Sequence, residues 1–156
     1  VEEVLKLACD TAMHLSLVEC VHIALYDANT QVLKLGYSFN TPGYEIGQVL
    51  PPGTLAHTVA RTSEAQLVEN LPTTPYQPLY SNAIATISVP LITQSRLIGT
   101  LTLETNSAHL LNPDRFEFLR VLAGRMAIAI ENADLYSASQ QQLAELKQLH
   151  ERLVGC

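Results

Sequence analysis

Cysteine is scarce in this chain. Cys9, Cys20 and Cys156 are three among 156 residues, odd in number and widely spaced. They form neither a disulfide framework nor a zinc-ligand pattern. Cys9 and Cys20 are expected to be buried free thiols in a reducing compartment. Basic residues are few too: nine Lys and Arg against fifteen Asp and Glu, a net charge of −6. A phosphate backbone calls for clustered cations, and these are scattered, so nucleic acid is excluded as a partner. No stretch reaches the roughly 18 unbroken apolar residues of a membrane span. The start lacks the basic segment and apolar core of a secretory leader. A cytoplasmic location is expected, with no membrane contact by this domain. The chain begins at Val1 rather than Met and is read as a piece of a longer protein.

What is present is an ordinary globular balance, 47% apolar and 15% charged. The length suits one domain that buries roughly 70% of its unfolded surface. Residues 1–16 predict a helix with Val4, Leu5, Ala8, Ala12 and Leu15 on one stripe. Strands follow at 20–27 and 32–39, joined as a hairpin. A loop with one short strand near 45–49 leads through Pro51-Pro52-Gly53 into a short helix over 54–62. A further strand is expected at 65–70. Residues 71–83, "LPTTPYQPLYSNA", hold three prolines and cannot be regular helix or central strand. They are too apolar for a plain linker and are read as a loop lying on the body of the domain.

Strands near 84–93 and 96–104 carry two alternating sets. Ala85, Ile87, Val89, Leu91, Leu97, Gly99, Leu101 and Leu103 are apolar. Thr86, Ser88, Pro90, Ile92, Ile98, Thr100, Thr102 and Glu104 are half polar. The first strand divides the same way, with Val21, Ile23 and Leu25 on one face and His22, Ala24 and Tyr26 on the other. One long helix is predicted over 111–154, with Asn112 as N-cap and Pro113 at the first helical position. Phe116, Leu119, Leu122, Met126 and Ile130 form its core stripe. Beyond Tyr136 the helix turns polar, and Leu135, Ser139, Gln142, Leu146, Leu149 and Leu153 follow heptad spacing. Leu135, Leu146, Leu149 and Leu153 are the expected contacts of a homodimer. The element order implies α+β: an antiparallel sheet with N- and C-terminal helices on one face. The short helix and loops are left to cover the other.

Four segments, "LPPGTLAHTVARTSEAQLVEN" (50–70), "ISVPL" (87–91), "RLIGTLTLET" (96–105) and "LNPDRFEFLRVLAGRMAIAIENADLY" (111–136), resemble a GAF domain in the family's usual order. The resemblance implies a PAS-like sensory module, usually part of a histidine kinase, a cyclic-dinucleotide enzyme or a transcription regulator. It assigns residues 1–136 to the domain and 137–156 to a coiled-coil-like linker toward an output domain. The mixed face would then look into a ligand pocket roofed by the 54–62 helix and the 71–83 loop. The site residues expected are His22, Tyr26, His57, Arg61, Tyr76, Tyr80, Thr86, Ser88, Thr100, Thr102 and Glu104. The alternative is a face filled by the protein's own side chains, with Thr present as a good strand former.

Free methionine sulfoxide reduction needs an accessible thiolate, and residues 40–84 hold no cysteine. Covalent bilin attachment fails there too, since Cys20-Val21-His22 opens the first strand instead. The cyclic-nucleotide members carry an Asn-Lys pair where this chain has Thr105-Asn106. His57, then His22, is the best placed for haem, but no cluster has metal-ligand spacing. His57 and Arg61 share a helical face that could receive an anion. Glu104 has no second carboxylate for acid–base work. The expectation is a non-enzymatic domain that senses an unidentified small molecule, needs no metal or cofactor, and signals through a dimeric C-terminal helix. "ELKQLHERL" (145–153) resembles the helix before a histidine-kinase core, which favours such a parent. The alternatives are a ligand-free dimerisation module and a redox enzyme of the sulfoxide reductase type.

Overall fold

A computed structural model describes residues 1–94 and 96–154. Cys156, and with it the end of the expected 137–156 linker, lies outside the described residues. The elements run α1 (Glu2–Ser16), β1 (Cys20–Asp27), β2 (Val32–Phe39), α2 (Leu55–Thr62), β3 (Gln66–Val68), β4 (Ala85–Ile92), β5 (Leu97–Thr105) and α3 (Pro113–Val154). Short 3₁₀ turns occupy Leu71–Thr73 and Ala108–Leu110. The sheet has the order β2-β1-β5-β4-β3, and every neighbouring pair is antiparallel. The fold is α+β, as the alternation of the strands requires.

One sheet face packs on α1 and α3. Val21, Ile23, Ile87, Val89, Leu101 and Leu103 meet Leu5, Ala8 and Ala12 of α1 and Leu119, Met126 and Ile130 of α3. The N-terminus of α3 is capped as its residues dictate: Arg115 N–H donates to Asn112 Oδ1 at 2.9 Å. The other sheet face has its own smaller core, where Ala24, Leu33 and Leu35 meet Leu50, Ala56 and Leu79. The lid segment 71–83 and α2 therefore close a second layer.

Four expectations are corrected. Residues 45–49 form no strand; Gly47 takes φ +90° and only Lys34 and Val49 bridge. Leu15 is half exposed, because α1 buries Cys9 and Ser16 instead. Ile98 joins the α1/α3 core rather than the mixed face. A register shift between Leu91 and Ile92, which pair with Gly99 and Leu97, leaves Ile98 as the extra residue of a bulge. Strand β3 is also shorter than 65–70. A second bulge makes Gly36 the extra residue of β2, since Ile23 pairs with Tyr37 and Ala24 with Leu35.

Candidate functional site

The site is built on the mixed face of β1, β5 and β4. Antiparallel register sets His22 opposite Thr102, and Thr102 opposite Ser88; Glu104 lies between Cys20 and Thr86. All of these are buried. Ser88 Oγ and Thr102 Oγ1 lie 2.9 Å apart, and the Thr86 hydroxyl donates to Leu103 O at 2.8 Å. Such hydroxyls tolerate burial because they are bonded. His22 Nδ1 and Thr100 Oγ1 have no hydrogen-bond partner among the described residues. An unsatisfied buried polar group costs about 1–3 kcal/mol.

Glu104 is the centre of the arrangement. Its carboxylate accepts Leu79 N–H on Oε2 at 3.1 Å and Tyr80 N–H on Oε1 at 2.7 Å. His22 Nε2 stands 3.7 Å from Oε2, too far for a hydrogen bond. The lid is tied down elsewhere by Leu71 N–H to Ile84 O at 2.7 Å and Gln77 N–H to Gly53 O at 3.0 Å. Between lid and floor lies a cavity of about 10 Å³, bounded by His22, Leu55, Tyr76, Thr86, Thr102 and Glu104 among others. That is about the space one water needs.

The expected site residues do not all converge. His22, Tyr76, Thr86, Thr102 and Glu104 line the cavity. Ser88 and Thr100 belong to the same buried floor but lie outside its lining. Tyr80 contributes its backbone N–H and does not line the cavity. Tyr26, His57 and Arg61 are elsewhere: with Gln31 and Pro52 they line an open groove of about 470 Å³ on the outer side of α2. The physical reason is the α2 cap. Thr54 Oγ1 accepts His57 N–H at 3.4 Å and lies 3.2 Å from His57 Nδ1. That local bonding turns the imidazole toward its own N-cap while Leu55, Ala56 and Val59 go inward. Burial holds the His57 pKa below the usual imidazole value.

Sequence reasoning missed Thr54, Leu55, Ala56, Leu71, Gln77 and Pro78 as cavity walls. Thr54 carried a signal for the start of α2, since a Thr directly before an apolar helical pattern is a cap, but not for its place in the cavity wall. The thiols are chemically quiet. Burial, then the Asp10 charge, pushes Cys9 up to about 12. Burial, then the Glu104 charge, pushes Cys20 up as well. Neither offers a thiolate near neutral pH.

The geometry has parallels. The profile of the GAF domain family matches residues 1–131. The formate hydrogenlyase transcriptional activator of Salmonella typhimurium, in strains SL1344 and LT2, is 31% identical over 121 residues. That match takes in 72% of this chain and 16% of the activator, so the chain spans about a sixth of that relative's length. The GAF domain of a phosphoenolpyruvate-protein phosphotransferase from Coxiella burnetii superposes with a TM-score of 0.78 at 19% identity, covering 88% of this chain and 86% of that one. The GAF domain of a two-component sensor histidine kinase from Bacillus halodurans gives 0.71 at 17%, over 88% and 97%. A type II free methionine-R-sulfoxide reductase from Thermoplasma acidophilum gives 0.69 at 16%, over 84% and 94%. At these identities the structural matches carry the fold alone.

Proposed function

The chain belongs to the GAF domain family, and from that premise we propose that it is a non-enzymatic regulatory module. It takes a small molecule between the sheet and the lid and passes the change outward through α3. The observation that carries this reading is the two-sidedness of α3. Its inner stripe is Leu119, Ala123, Met126, Ala127 and Ile130. Its outer face exposes Phe118, Val121, Ile128, Leu135, Leu146, Leu149 and Leu153. These fall on one heptad seam with Arg125, Asn132, Ser139 and Gln142, all exposed. The seam expected beyond Tyr136 thus begins at Phe118, inside the body of the domain.

A second copy of this chain is the occupant that a 3.5-residue repeat calls for, because the repeat keeps one stripe facing a supercoiled partner. Residues 135–154 are exposed throughout and extend about 30 Å at 1.5 Å per residue. This reading makes 137–156 the connector to an output domain. Strands β4 and β5 link site and seam, since Thr86, Ser88, Thr102 and Glu104 face the lid while Ile87, Val89, Leu101 and Leu103 pack with the inner stripe of α3. A ligand signals only as far as it prefers one arrangement of the paired helices. The tail resemblance supports a histidine-kinase parent; the 31% identity favours a transcriptional activator. Autophosphorylation from ATP by the parent protein separates the two.

One observation favours a second reading, a dimerisation module with a filled pocket: the cavity of about 10 Å³. Native mass spectrometry beside the denatured mass tests both. Extra mass lost on denaturation supports sensing. A dimer carrying none, and gaining none from a metabolite panel, supports the filled module.

A further inference from the structure

Resting on the sensing reading above, we infer that the molecule that opens this site is a small organic cation with two N–H donors, a guanidine, an amidine or a protonated amine. It enters by replacing the lid's Leu79 and Tyr80 N–H groups on Glu104. Glu104 is 4% exposed. A carboxylate buried so far needs donors on both oxygens. Here the donors are two consecutive backbone N–H groups, one to each oxygen, at 3.1 and 2.7 Å. That is the two-pronged pattern a guanidinium or amidinium presents to a carboxylate. No Lys or Arg lies within 4 Å of Glu104 among the described residues; His22 alone does. The lid therefore occupies its own acceptor with uncharged donors, and a charged donor binds a carboxylate more strongly.

Size points the same way. With about 10 Å³ beneath it, the lid has to lift for anything larger than water. Segment 74–84 has no regular ladder to break, so lifting it between Gln77 and Ile84 costs the two bonds to Glu104 and the burial of Leu79, which is 4% exposed. His22 lines the same cavity with Nδ1 unpartnered, and Thr100 Oγ1 is unpartnered on the same floor. The unpartnered His22 Nδ1 is then available to a polar ligand. The first turn of α2 also borders the cavity, and a helix start attracts anions with about half a positive charge. The acceptor oxygens of Glu104 stand in the same cavity and call for a donor-bearing ligand rather than an anion.

The test is amide NMR on the intact chain, titrated with methylguanidinium, with tetramethylammonium and acetate as controls. Methylguanidinium is expected to shift the Leu79 and Tyr80 amides saturably and to speed their hydrogen exchange by about tenfold, the equivalent of one charge-assisted bond. Tetramethylammonium has charge without N–H and should do neither. Glu104→Gln should abolish the response. Tyr80→Pro removes one lid donor and leaves Glu104, so it should bind methylguanidinium more tightly. A saturable response to acetate overturns the inference, as does methylguanidinium binding with Leu79 and Tyr80 still protected, or no response at millimolar concentration. If native mass spectrometry finds a neutral or anionic molecule while methylguanidinium fails, the inference falls and the sensing reading stands. If neither finds a ligand, both fall.

Discussion

Tyr80 N–H donates to Glu104 Oε1 across 2.7 Å, and the two residues are 24 positions apart in the chain. With the neighbouring Leu79 bond, this contact fastens an irregular segment to the middle of a sheet. Glu104→Ala removes both acceptors and strands the buried Leu79 N–H and the partly buried Tyr80 N–H. The expected loss is about 3 kcal/mol, given about 1.5–3 for each bond to a charged group. Denaturant unfolding should show a lower midpoint, with the fastest new hydrogen exchange confined to residues 71–83. Uniform exchange gain across the sheet would assign Glu104 to the general core instead.

Gly99 is the tightest position in the sheet. A Cβ there would overlap the Ala24 carbonyl oxygen, and backbone cannot rotate aside. Gly99→Ala should separate β1 from β5 and cost about 3 kcal/mol or more, at the upper end for overpacking. At Gly36 the nearest atom is the Leu25 side chain at 3.1 Å, so Gly36→Ala should cost less. Thermal melts of the two variants rank them; an equal loss would contradict the bulge geometry.

The thiols of Cys9 and Cys20 should stay unmodified by an aromatic disulfide reagent at neutral pH and react fully after denaturation. A Cys156→Ser background restricts the reading to these two. The Cys9 thiol rises from 9.0 to about 12 on folding. Its contribution to stability is complete below pH 9, where both states hold the proton. It is lost as pH climbs from 9 toward 12, because the unfolded chain ionises first. Cys9→Ala should flatten that part of the stability profile. Rapid native reaction would reopen the redox reading.

Leu146 and Leu149 stand free on the outer face of α3. Changing both to Lys should turn the proposed dimer into a monomer without altering the fold. Burying a Leu is worth about 1.5–3 kcal/mol, so the dimer should weaken by at least a hundredfold. Ile128→Lys should act in the same direction, because the proposed seam includes this exposed residue on the body of the domain. Light scattering across a concentration series reads both. A dimer that survives the double change would place the interface elsewhere.

Periodicity and caps were enough for most of the architecture. Alternation separated Ile87 and Val89 from Thr86 and Ser88, and Asn112-Pro113 marked the start of α3, because these are local preferences of a pleated or helical backbone. The polar floor was legible from the same alternation, the irregular 71–83 segment from its prolines, and its place over the floor from the resemblance to a GAF domain. Three things were not. Gly36 and Ile98 became bulge residues only when strands distant in sequence set their register. His57 and Arg61 shared a helical face, but the direction of that face was decided by Thr54 and by which side of α2 met Leu79. The outer seam from Phe118 to Ile128 was hidden behind a core stripe on the same helix, and solvent exposure alone separates the two. Sequence by itself determined which residues alternate and where helices begin, since those terms act within a few residues. Tertiary structure decided how much space is left above Glu104 and which groups fill its acceptors, because both depend on chain segments brought together from 24 and 25 positions away.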